Sequence, residues 1–427
     1  MLLRHPYRTT AAILATIPLA VAAVVDPVQA AAPDRRFVPV ATFDVAGEVA
    51  EILAATPDGR TVVYTDSSAE EIGLVDLTDP ARPRQTGVIP MSGEPTSVAV
   101  TRNGGYALVA VDTSRSFTAP SGTLEVVDLR TRRTVASLEL GGQPDSVALS
   151  PDGRFAAIAM ENQRDEDVVV DGVEGGLPQL RAGFLSVVEL SGVPTTWTAD
   201  SVALTGLDGM LFPDDPEPEY VDVRDGIAAV TLQENNAIAL VDLAARAVVR
   251  SFSAGTVVRD DADTSDDGVI AFDDPLSAPR EPDAVQWTAG GNLVTADEGD
   301  LAETPSGGRG WTVFSPTGEI VYSAGASAEQ ALAAAGRYPD RRSDAKGAEF
   351  EGVEVKRLRG QELAFIGSER DDAVLVYDLA DESAPRLLQV LETGDAPEGL
   401  LAIERQGLFL TSNEDEGSIS VFQIARR

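Results

Sequence analysis

Acidic residues recur at the start of a short apolar segment that is repeated along this sequence of 427 residues. Six of the seven copies carry a carboxylate at this position. The seven residues, in chain order, are Glu51, Thr96, Asp145, Glu219, Asp283, Glu351 and Glu398. Carboxylate oxygens are the ligands that calcium and other hard divalent cations prefer. A fold that gathers these positions would therefore offer a cation site.

A second set of acidic and amide residues follows the next apolar segment of each copy. Its members are Asp66, Asp112, Glu161 with Asn162, Glu234 with Asn235, Asp297 with Glu298, Glu369, and Asn413 with Glu414. We expect both sets to meet on one side of the molecule. Their negative charges would repel one another there unless they are solvated, protonated or bridged by cations.

Two interpretations of the acidic sets remain open. In the first, they bind calcium or another divalent cation. The metal ligands predicted on this interpretation are Glu51, Asp145, Glu219, Glu234, Asp283, Glu298, Glu351, Glu369, Glu398 and Glu414. In the second, the acidic sets form a solvated rim and stabilise turns by accepting hydrogen bonds from backbone amides, as Asp and Asn side chains commonly do.

Short β-strands are the elements that must position these residues. Each copy contains strand-like apolar segments, and turns such as TPDGR, TRNGG and SPDGR separate the first two. Units of four short strands are typical of β-propeller blades. The last copy stops at its third strand, Ser418 to Ile424, whereas Phe37 to Val45 resembles a fourth strand without a preceding third. We therefore predict an all-β, seven-bladed β-propeller in which the N-terminal strand completes the last blade; the alternative is a pair of β-sandwiches.

Composition excludes several kinds of catalytic and metal site. The sequence has one histidine, His5, and no cysteine. Serine–histidine triads, cysteine nucleophiles, cysteine–histidine zinc sites and haem attached through CxxCH are therefore not expected, and we predict neither haem nor zinc. The formal net charge of -36 predicts repulsion of nucleic acid, so we expect no nucleic-acid partner.

The N-terminus has the pattern of a secretory signal. Basic residues precede an apolar run from Ala11 to Val25, and small residues precede a cleavage site after Ala30. That run is shorter than the roughly 20 residues needed to cross a bilayer. We predict a signal peptide over residues 1–30, a single propeller domain over 31–427, a secreted or extracytoplasmic location and no membrane span after cleavage. An uncleaved anchor is the alternative.

Copies three to five carry additional chain, which we place in loops on the same face as the acidic sets. These stretches are 163–182, 191–216, 251–280 and 322–348. Loops lengthened on one face of a repeat fold commonly serve binding. The acidic run at 259–268 resembles the start of a calcium loop, but it lacks the expected glycine and the distal glutamate, so we favour a solvated loop.

Several strings resemble a known family. FPDDPEPEYVDV, TLQENNAIALVDL, RRSDAKGAEFEGV and FIGSERDDAVLVYDL are similar to the choice-of-anchor I family of bacterial exported β-propellers, which is related to a mesenchyme-specific cell-surface glycoprotein. The resemblance implies a secreted or surface propeller without a defined molecular activity. Members usually carry a C-terminal anchoring segment, whereas ISVFQIARR follows directly on the last strand here, so we expect release rather than anchoring.

Two functions fit these observations. The first is an exported binding protein with a cation-binding acidic face and an unidentified ligand or cell-surface partner. The alternative is a metal-dependent phosphoesterase, phytase-like or alkaline-phosphatase-like, in which the metals activate water. The residues expected to hold phosphate in that case are Arg342, Lys346 and Arg370. We favour a role for these three cations in neutralising the acidic rim through ion pairs.

Overall fold

The computed structural model describes residues 36–47, 49–165, 167–179, 181–299 and 305–425. Within these ranges the chain forms seven four-stranded antiparallel sheets arranged as a seven-bladed β-propeller, with two additional two-stranded hairpins. The predicted fold class is therefore confirmed. The predicted signal peptide lies outside the described residues.

The strands follow one another blade by blade. Strand β1 (Phe37–Asp44) precedes the first complete blade. Blade one contains β2 (Leu53–Ala55), β3 (Thr61–Asp66), β4 (Glu71–Asp76) and β5 (Arg84–Pro90). Blade two contains β6 (Glu94–Val100), β7 (Tyr106–Asp112), β8 (Gly122–Asp128) and β9 (Arg133–Glu139). Blade three contains β10 (Pro144–Leu149), β11 (Phe155–Met160), β14 (Phe184–Glu189) and β15 (Ala199–Ala203), with the hairpin β12 (Val169–Val170) and β13 (Val173–Glu174) inserted.

The second half of the chain continues this order. Blade four contains β16 (Pro218–Arg224), β17 (Ile227–Leu232), β18 (Ala237–Asp242) and β19 (Ala247–Ser253), and the hairpin β20 (Thr256–Ala262) and β21 (Asp274–Pro279) follows it. Blade five contains β22 (Pro282–Trp287), β23 (Leu293–Asp297), β24 (Gly310–Phe314) and β25 (Ile320–Ser323), followed by helix α1 (Ser327–Ala334). Blade six contains β26 (Val353–Leu358), β27 (Gln361–Ser368), β28 (Ala373–Asp378) and β29 (Arg386–Glu392). Blade seven contains β30 (Pro397–Ile403), β31 (Leu408–Asn413) and β32 (Ser418–Ile424), and short 3-10 helices lie at Pro194–Thr196, Asp340–Arg342 and Glu369–Asp371.

Strand β1 closes the ring. It pairs antiparallel with β32, so that Phe37 lies opposite Ile424 and Asp44 lies opposite Ser418. The first strands of neighbouring blades lie side by side around the axis, and β30 lies beside β2. Strand β1 therefore supplies the fourth, outer strand of blade seven, and one sheet contains strands from both ends of the described chain.

Burial explains which strand occupies which place in a blade. The second and third strands are largely buried, and every residue of β11 and of β28 is buried. Fourth strands such as β9 are mostly exposed, because they form the outer edge of the ring, and Leu138 is the one buried residue of β9. The predicted tight turns between first and second strands are present, and Gly59 and Gly153 have positive φ angles of 72° and 76°.

The predicted insertions are not loops throughout: 163–182 contains the hairpin β12–β13, 251–280 contains the hairpin β20–β21, and 322–348 contains helix α1. The remaining insertion contains a strand of a blade. We expected residues 191–216 to lie entirely in loops, but Ala199–Ala203 forms β15, the fourth strand of blade three. It pairs with β14, and Val202 lies opposite Leu185. Val202 is the only buried residue of this strand, so the segment lacks the apolar pattern by which the other strands were recognised.

Candidate metal centre

Six residues of the first predicted set line one cavity at the end of the central channel where the first strands begin. We call this end the channel mouth. The cavity has a volume of about 150 Å³, and the six residues are Thr96, Asp145, Glu219, Asp283, Glu351 and Glu398. Glu51 is not among the lining residues, although its neighbour Ile52 is. The side chain of Glu51 accepts a hydrogen bond from the Ser67 hydroxyl.

Local strand geometry explains this convergence. The register between first and second strands shifts at the lining residue in five blades, directly after the proline that precedes it, as at Asp145 and Glu219. Such β-bulges turn a side chain away from the regular pleat. The same pairing places Pro144 opposite Met160, and the residues that follow them, Asp145 and Glu161, bring carboxylate oxygens within 4.8 Å of each other at the channel mouth. The two predicted sets meet there because the second strand ends where the first begins.

Asp145, Glu161 and Glu219 form the closest group of carboxylates without a cationic partner, and we call them the open cluster. Each offers a carboxylate oxygen, and these three atoms lie within 4.8 Å of one another. Among the described residues, no lysine or arginine forms an ion pair with any of the three. Burial, together with the charge of Glu234, raises the pKa of Asp145 to about 7.

The other two members of the open cluster also resist ionisation. Burial raises the pKa of Glu161 well above its usual value, and the nearby charges of Asp145 and Glu234 add to the effect. Burial likewise raises the pKa of Glu219, with further contributions from the Glu161 and Asp145 charges. Glu234 is a predicted ligand outside the cavity lining, and its charge contributes to the raised pKa of all three carboxyl groups. A bound cation would replace the protons that these groups otherwise hold.

In a second group of carboxylates, two of the three members are paired with cations of the protein. Glu349, Glu351 and Glu369 offer oxygens within 4.8 Å of one another. Both oxygens of Glu349 are engaged, one by Arg342 and the other by Arg370. Arg370 also contacts Glu369, with 2.7 Å between Nη1 and Oε1.

Lys346 completes the pairing on this side of the channel mouth, since its ammonium group donates to Oε1 of Glu298. The three cations that the phosphoesterase alternative assigned to phosphate binding are thus all placed against carboxylates. We call Glu298, Glu349 and Glu369, together with Arg342, Lys346 and Arg370, the paired cluster.

The predicted ligands Glu51, Asp283, Glu398 and Glu414 belong to neither cluster. Glu398 lines the cavity, and its Oε2 atom is buried without a hydrogen-bond partner among the described residues. Burial raises the pKa of Glu398, and the Glu51 and Glu414 charges raise it further. Burial and the Glu298 charge likewise raise the pKa of Asp283. The structure therefore brings Glu51, Asp283, Glu398 and Glu414 within electrostatic reach of the channel mouth, without a hydrogen-bonded cation on Glu398.

Two acidic residues were not recognised as part of the site. Glu217 forms an ion pair with Arg164, with 2.8 Å between Oε2 and Nε, and Glu349 is held by two arginines as described above. Both stand two positions before a cavity-lining glutamate, in the strings EPE and EFE. That spacing was the available signal. The pairing arginines could not be found in this way, because Arg164 lies in an insertion 53 residues from Glu217.

The amide members of the second set support turns, as the rim interpretation expects. Asn235 accepts a hydrogen bond from the backbone N–H of Glu217 at 2.8 Å and donates to the carbonyl of Asp215 at 2.9 Å. In the run at 259–268, the buried Asp263 accepts from the backbone N–H of Ala271. These side chains therefore hold loops in place. The run is not a solvated loop throughout, because residues 259–262 belong to β20 and Asp263 is buried.

Metal-free protein is expected to melt at a higher temperature when the pH is lowered from about 8 to about 6. The pKa values of Glu51 and Asp145 are raised to about 7, mainly by burial, from ordinary values of 4.5 and 3.8. The folded state therefore binds protons more tightly than the unfolded state, and this stabilisation is lost as the pH rises through the folded values. Calorimetry in EDTA at several pH values measures the trend. A melting temperature that falls on acidification over this range would contradict it.

Solved structures share the fold of this chain, whereas no curated protein matches it. A chain of Kuenenia stuttgartiensis hydrazine synthase has a similar fold, with a TM-score of 0.58, 14% identity and coverage of 90% of this chain and 97% of that chain. The β-propeller domain of Myceliophteria thermophila Cps50 (Swd1) gives a TM-score of 0.59 at 9% identity, covering 91% and 100%. At these identities the similarity shows the fold alone.

The described residues contain no helix long and apolar enough to cross a bilayer.

The match to a protein family is a match of sequence, and it therefore shows more than a shared fold. The model of the choice-of-anchor I domain matches residues 51–306 and 303–382. These ranges include both the open and the paired cluster. The chain therefore belongs to the choice-of-anchor I family.

Proposed function

We propose that this protein is an exported binding protein whose channel mouth holds one divalent cation on the open cluster, with calcium as the first candidate. One observation carries the proposal: Asp145, Glu161 and Glu219 bring oxygens within 4.8 Å of one another beside a cavity, without a cation of the protein between them. Glu234 and backbone or water oxygens would complete the coordination, since calcium takes about six to eight oxygen ligands.

The chemistry of the donors favours calcium over smaller ions, and their spacing is compatible with it. Two oxygens bound to one calcium, each at about 2.3–2.6 Å, are separated by at most about 5 Å. Magnesium requires shorter bonds and a nearly ideal octahedron, which carboxylates from three separate strands supply less readily. Zinc prefers histidine and cysteine ligands, and the described residues contain neither. Binding of a divalent ion would also relieve the mutual repulsion of the buried carboxylates.

Export supports the choice of calcium. The family resemblance and the apolar run from Ala11 to Val25 support a secreted or extracytoplasmic location. Extracellular calcium modules commonly bind with dissociation constants of about 10⁻⁴–10⁻³ M. We expect an affinity in that range. The insertions around the channel mouth would then present a cation-stabilised surface to an unidentified ligand or cell-surface partner.

Calcium is expected to stabilise the folded protein. At a calcium concentration one hundred times the dissociation constant, the free energy of unfolding should increase by about 2.7 kcal/mol. Calorimetry with calcium, with magnesium and with EDTA measures this increase, and elemental analysis of the purified protein measures bound metal. An unchanged melting temperature in calcium, together with the absence of bound metal, would overturn the proposal.

The phosphoesterase alternative receives no support from the arrangement of cations. Phosphate binding would require positively charged groups directed into the cavity and available to the substrate. Arg342 and Arg370 are held by Glu349, and Lys346 is held by Glu298. We therefore do not propose hydrolysis as the function of this site. Assays of phosphomonoesters and phytate in the presence of calcium provide the direct test.

A further inference from the structure

Another cavity lies between blades two and three, on the face of the ring opposite the channel mouth. It has a volume of about 650 Å³ and is lined by residues of the turns TRNGG and SPDGR, which join the first and second strands of these blades, and by the loop that follows β14. We call it the turn pocket. It shares no lining residue with the channel-mouth cavity, and its volume is within the range of about 300–1,000 Å³ that is usual for small-molecule sites.

One wall of the turn pocket is an insertion in blade three. Residues 190–198 separate the third and fourth strands there, whereas residues 129–132 do so in blade two. The N–H of Leu190 donates to the last carbonyl of the SPDGR turn at 2.7 Å, and the 3-10 helix Pro194–Thr196 contacts β9 of blade two. The insertion therefore spans two blades. This part of the predicted insertion 191–216 lies opposite the acidic face and not on it, as we had expected.

The inner surface of the turn pocket is apolar and partly aromatic. Tyr106, Leu149, Leu190 and Trp197 line it, and each of these side chains is half-buried. All four also pack against the hydrophobic core of blades two and three. This packing fixes one side of each group, so that the other side can form a stable apolar wall for a ligand.

The rim of the turn pocket carries polar groups that the turns hold in place. Oδ1 of Asn103 accepts hydrogen bonds from the Thr101 hydroxyl and from the backbone N–H of Gly105, both at 2.9 Å. Oδ1 of Asp152 accepts in the same way from the Ser150 hydroxyl at 2.6 Å and from a backbone N–H of its turn at 3.0 Å. Nδ2 of Asn103 and Oδ2 of Asp152 have no hydrogen-bond partner among the described residues. The two blades thus present one amide donor and one carboxylate acceptor to the pocket.

We propose that the turn pocket binds a short neutral carbohydrate. A sugar ring has apolar C–H faces that pack on aromatic and aliphatic side chains, and hydroxyl groups at its edge that both donate and accept hydrogen bonds. The charged lining residues are one cation, Arg102, and one anion, Asp152, so the lining favours neither sign of charge. An anionic ligand would be repelled by the formal net charge of -36. A wholly apolar ligand would leave the free groups of Asn103 and Asp152 desolvated and without partners.

The test begins with calorimetric titration of the wild type with cellobiose, maltose, mannobiose, lactose and diacetylchitobiose, of which at least one is expected to bind. The substitutions Asn103→Asp and Asp152→Asn keep the Oδ1 atom that supports each turn and exchange only the free group. Each should weaken binding of that disaccharide by about tenfold. Trp197→Ala removes part of the apolar wall and should weaken binding by at least about tenfold.

The TPDGR turn of blade one provides a matched control. Oδ1 of Asp58 accepts hydrogen bonds from the Thr56 hydroxyl at 2.7 Å and from the backbone N–H of Arg60 at 3.1 Å, as in the turn of blade three. Asp58 does not line the turn pocket. Asp58→Asn therefore removes the same charge from the same kind of turn, and the affinity for the disaccharide should not change.

The outcomes are distinguishable from those of the calcium experiments. The inference is overturned if none of these disaccharides binds the wild type, or if binding is unchanged in Asn103→Asp, Asp152→Asn and Trp197→Ala. Binding of the apolar dye anilinonaphthalene sulfonate without binding of any disaccharide would also overturn it. If Trp197→Ala does not fold, the two turn variants decide, because they keep the turn hydrogen bonds. The affinity should be the same in calcium and in EDTA, so failure of this inference leaves the proposed function untouched.

Discussion

The substitution Glu219→Gln is expected to weaken calcium binding by at least about tenfold and, in metal-free protein, to raise the melting temperature. Glu219 belongs to the open cluster and lines the cavity. Its pKa is raised by burial and by the charges of Glu161 and Asp145, so its ionised form is disfavoured when no cation is present. Glutamine keeps the shape and removes the charge. Titration calorimetry measures the affinity, and scanning calorimetry in EDTA measures the stability.

The opposite signs of these two effects make the prediction specific. A substitution that merely damaged the fold would lower the melting temperature with or without calcium. The matched control is Glu189→Gln, an equal change of charge at the exposed end of β14, which should alter neither quantity appreciably. Unchanged calcium affinity in Glu219→Gln would exclude this residue as a ligand. Lower stability in EDTA would contradict the account of charge repulsion.

Retention of closely spaced carboxylates, one buried and two partly buried, is itself informative. Buried ionisable groups without a partner destabilise a fold, and replacement by neutral residues of similar shape is often stabilising. A protein built only for stability would not concentrate Asp145, Glu161 and Glu219 beside one cavity. Strongly perturbed pKa values arranged in this way are characteristic of functional sites.

The ring and the first acidic set could be predicted because both depend on local, repeated signals. Asp-Gly turns such as the one containing Gly59 identify the hairpin between the first two strands. The acidic residue near the start of six of the seven first strands then lies at the same end of its blade. The pairing of Phe37 to Asp44 with the last strand followed from counting strands in the incomplete final copy.

The division of the channel mouth into open and paired clusters could not be predicted from the sequence. It depends on where insertions fold back, and the contacting residues are far apart in the chain. Lys346 lies 48 residues from Glu298. No periodicity or motif connects these positions, since the insertions are not repeated from blade to blade. Strand β15 was missed for a related reason, because its single buried side chain gives no alternating pattern.

Closure of the ring depends on Phe37 at the start of β1. Its ring packs against Phe365 of blade six and Phe409 of blade seven, with centroids 5.3 and 6.2 Å away. The backbone of Phe37 is also fixed to blade six, because its N–H donates to the side-chain amide of Gln389, which donates in turn to the Phe37 carbonyl, both at 3.0 Å. One residue therefore joins the first strand of the chain to the last two blades.

Phe37→Ala is expected to lower the free energy of unfolding by about 3–5 kcal/mol, since it leaves a cavity between two blades and weakens the strand that closes the ring. Denaturant unfolding monitored by circular dichroism measures the loss. Val38→Ala is the matched control, because Val38 is the next residue of the same strand and is 42% exposed, so its truncation should change stability by no more than about 0.5 kcal/mol. Equal effects of the two substitutions would show that ring closure does not depend on the buried face of β1. Glu398 of blade seven and Glu51 of blade one lie on either side of the closure and are close enough to interact electrostatically. Phe37→Ala should therefore also lower the calcium affinity of the channel mouth. This decrease should be smaller than the one caused by Glu219→Gln.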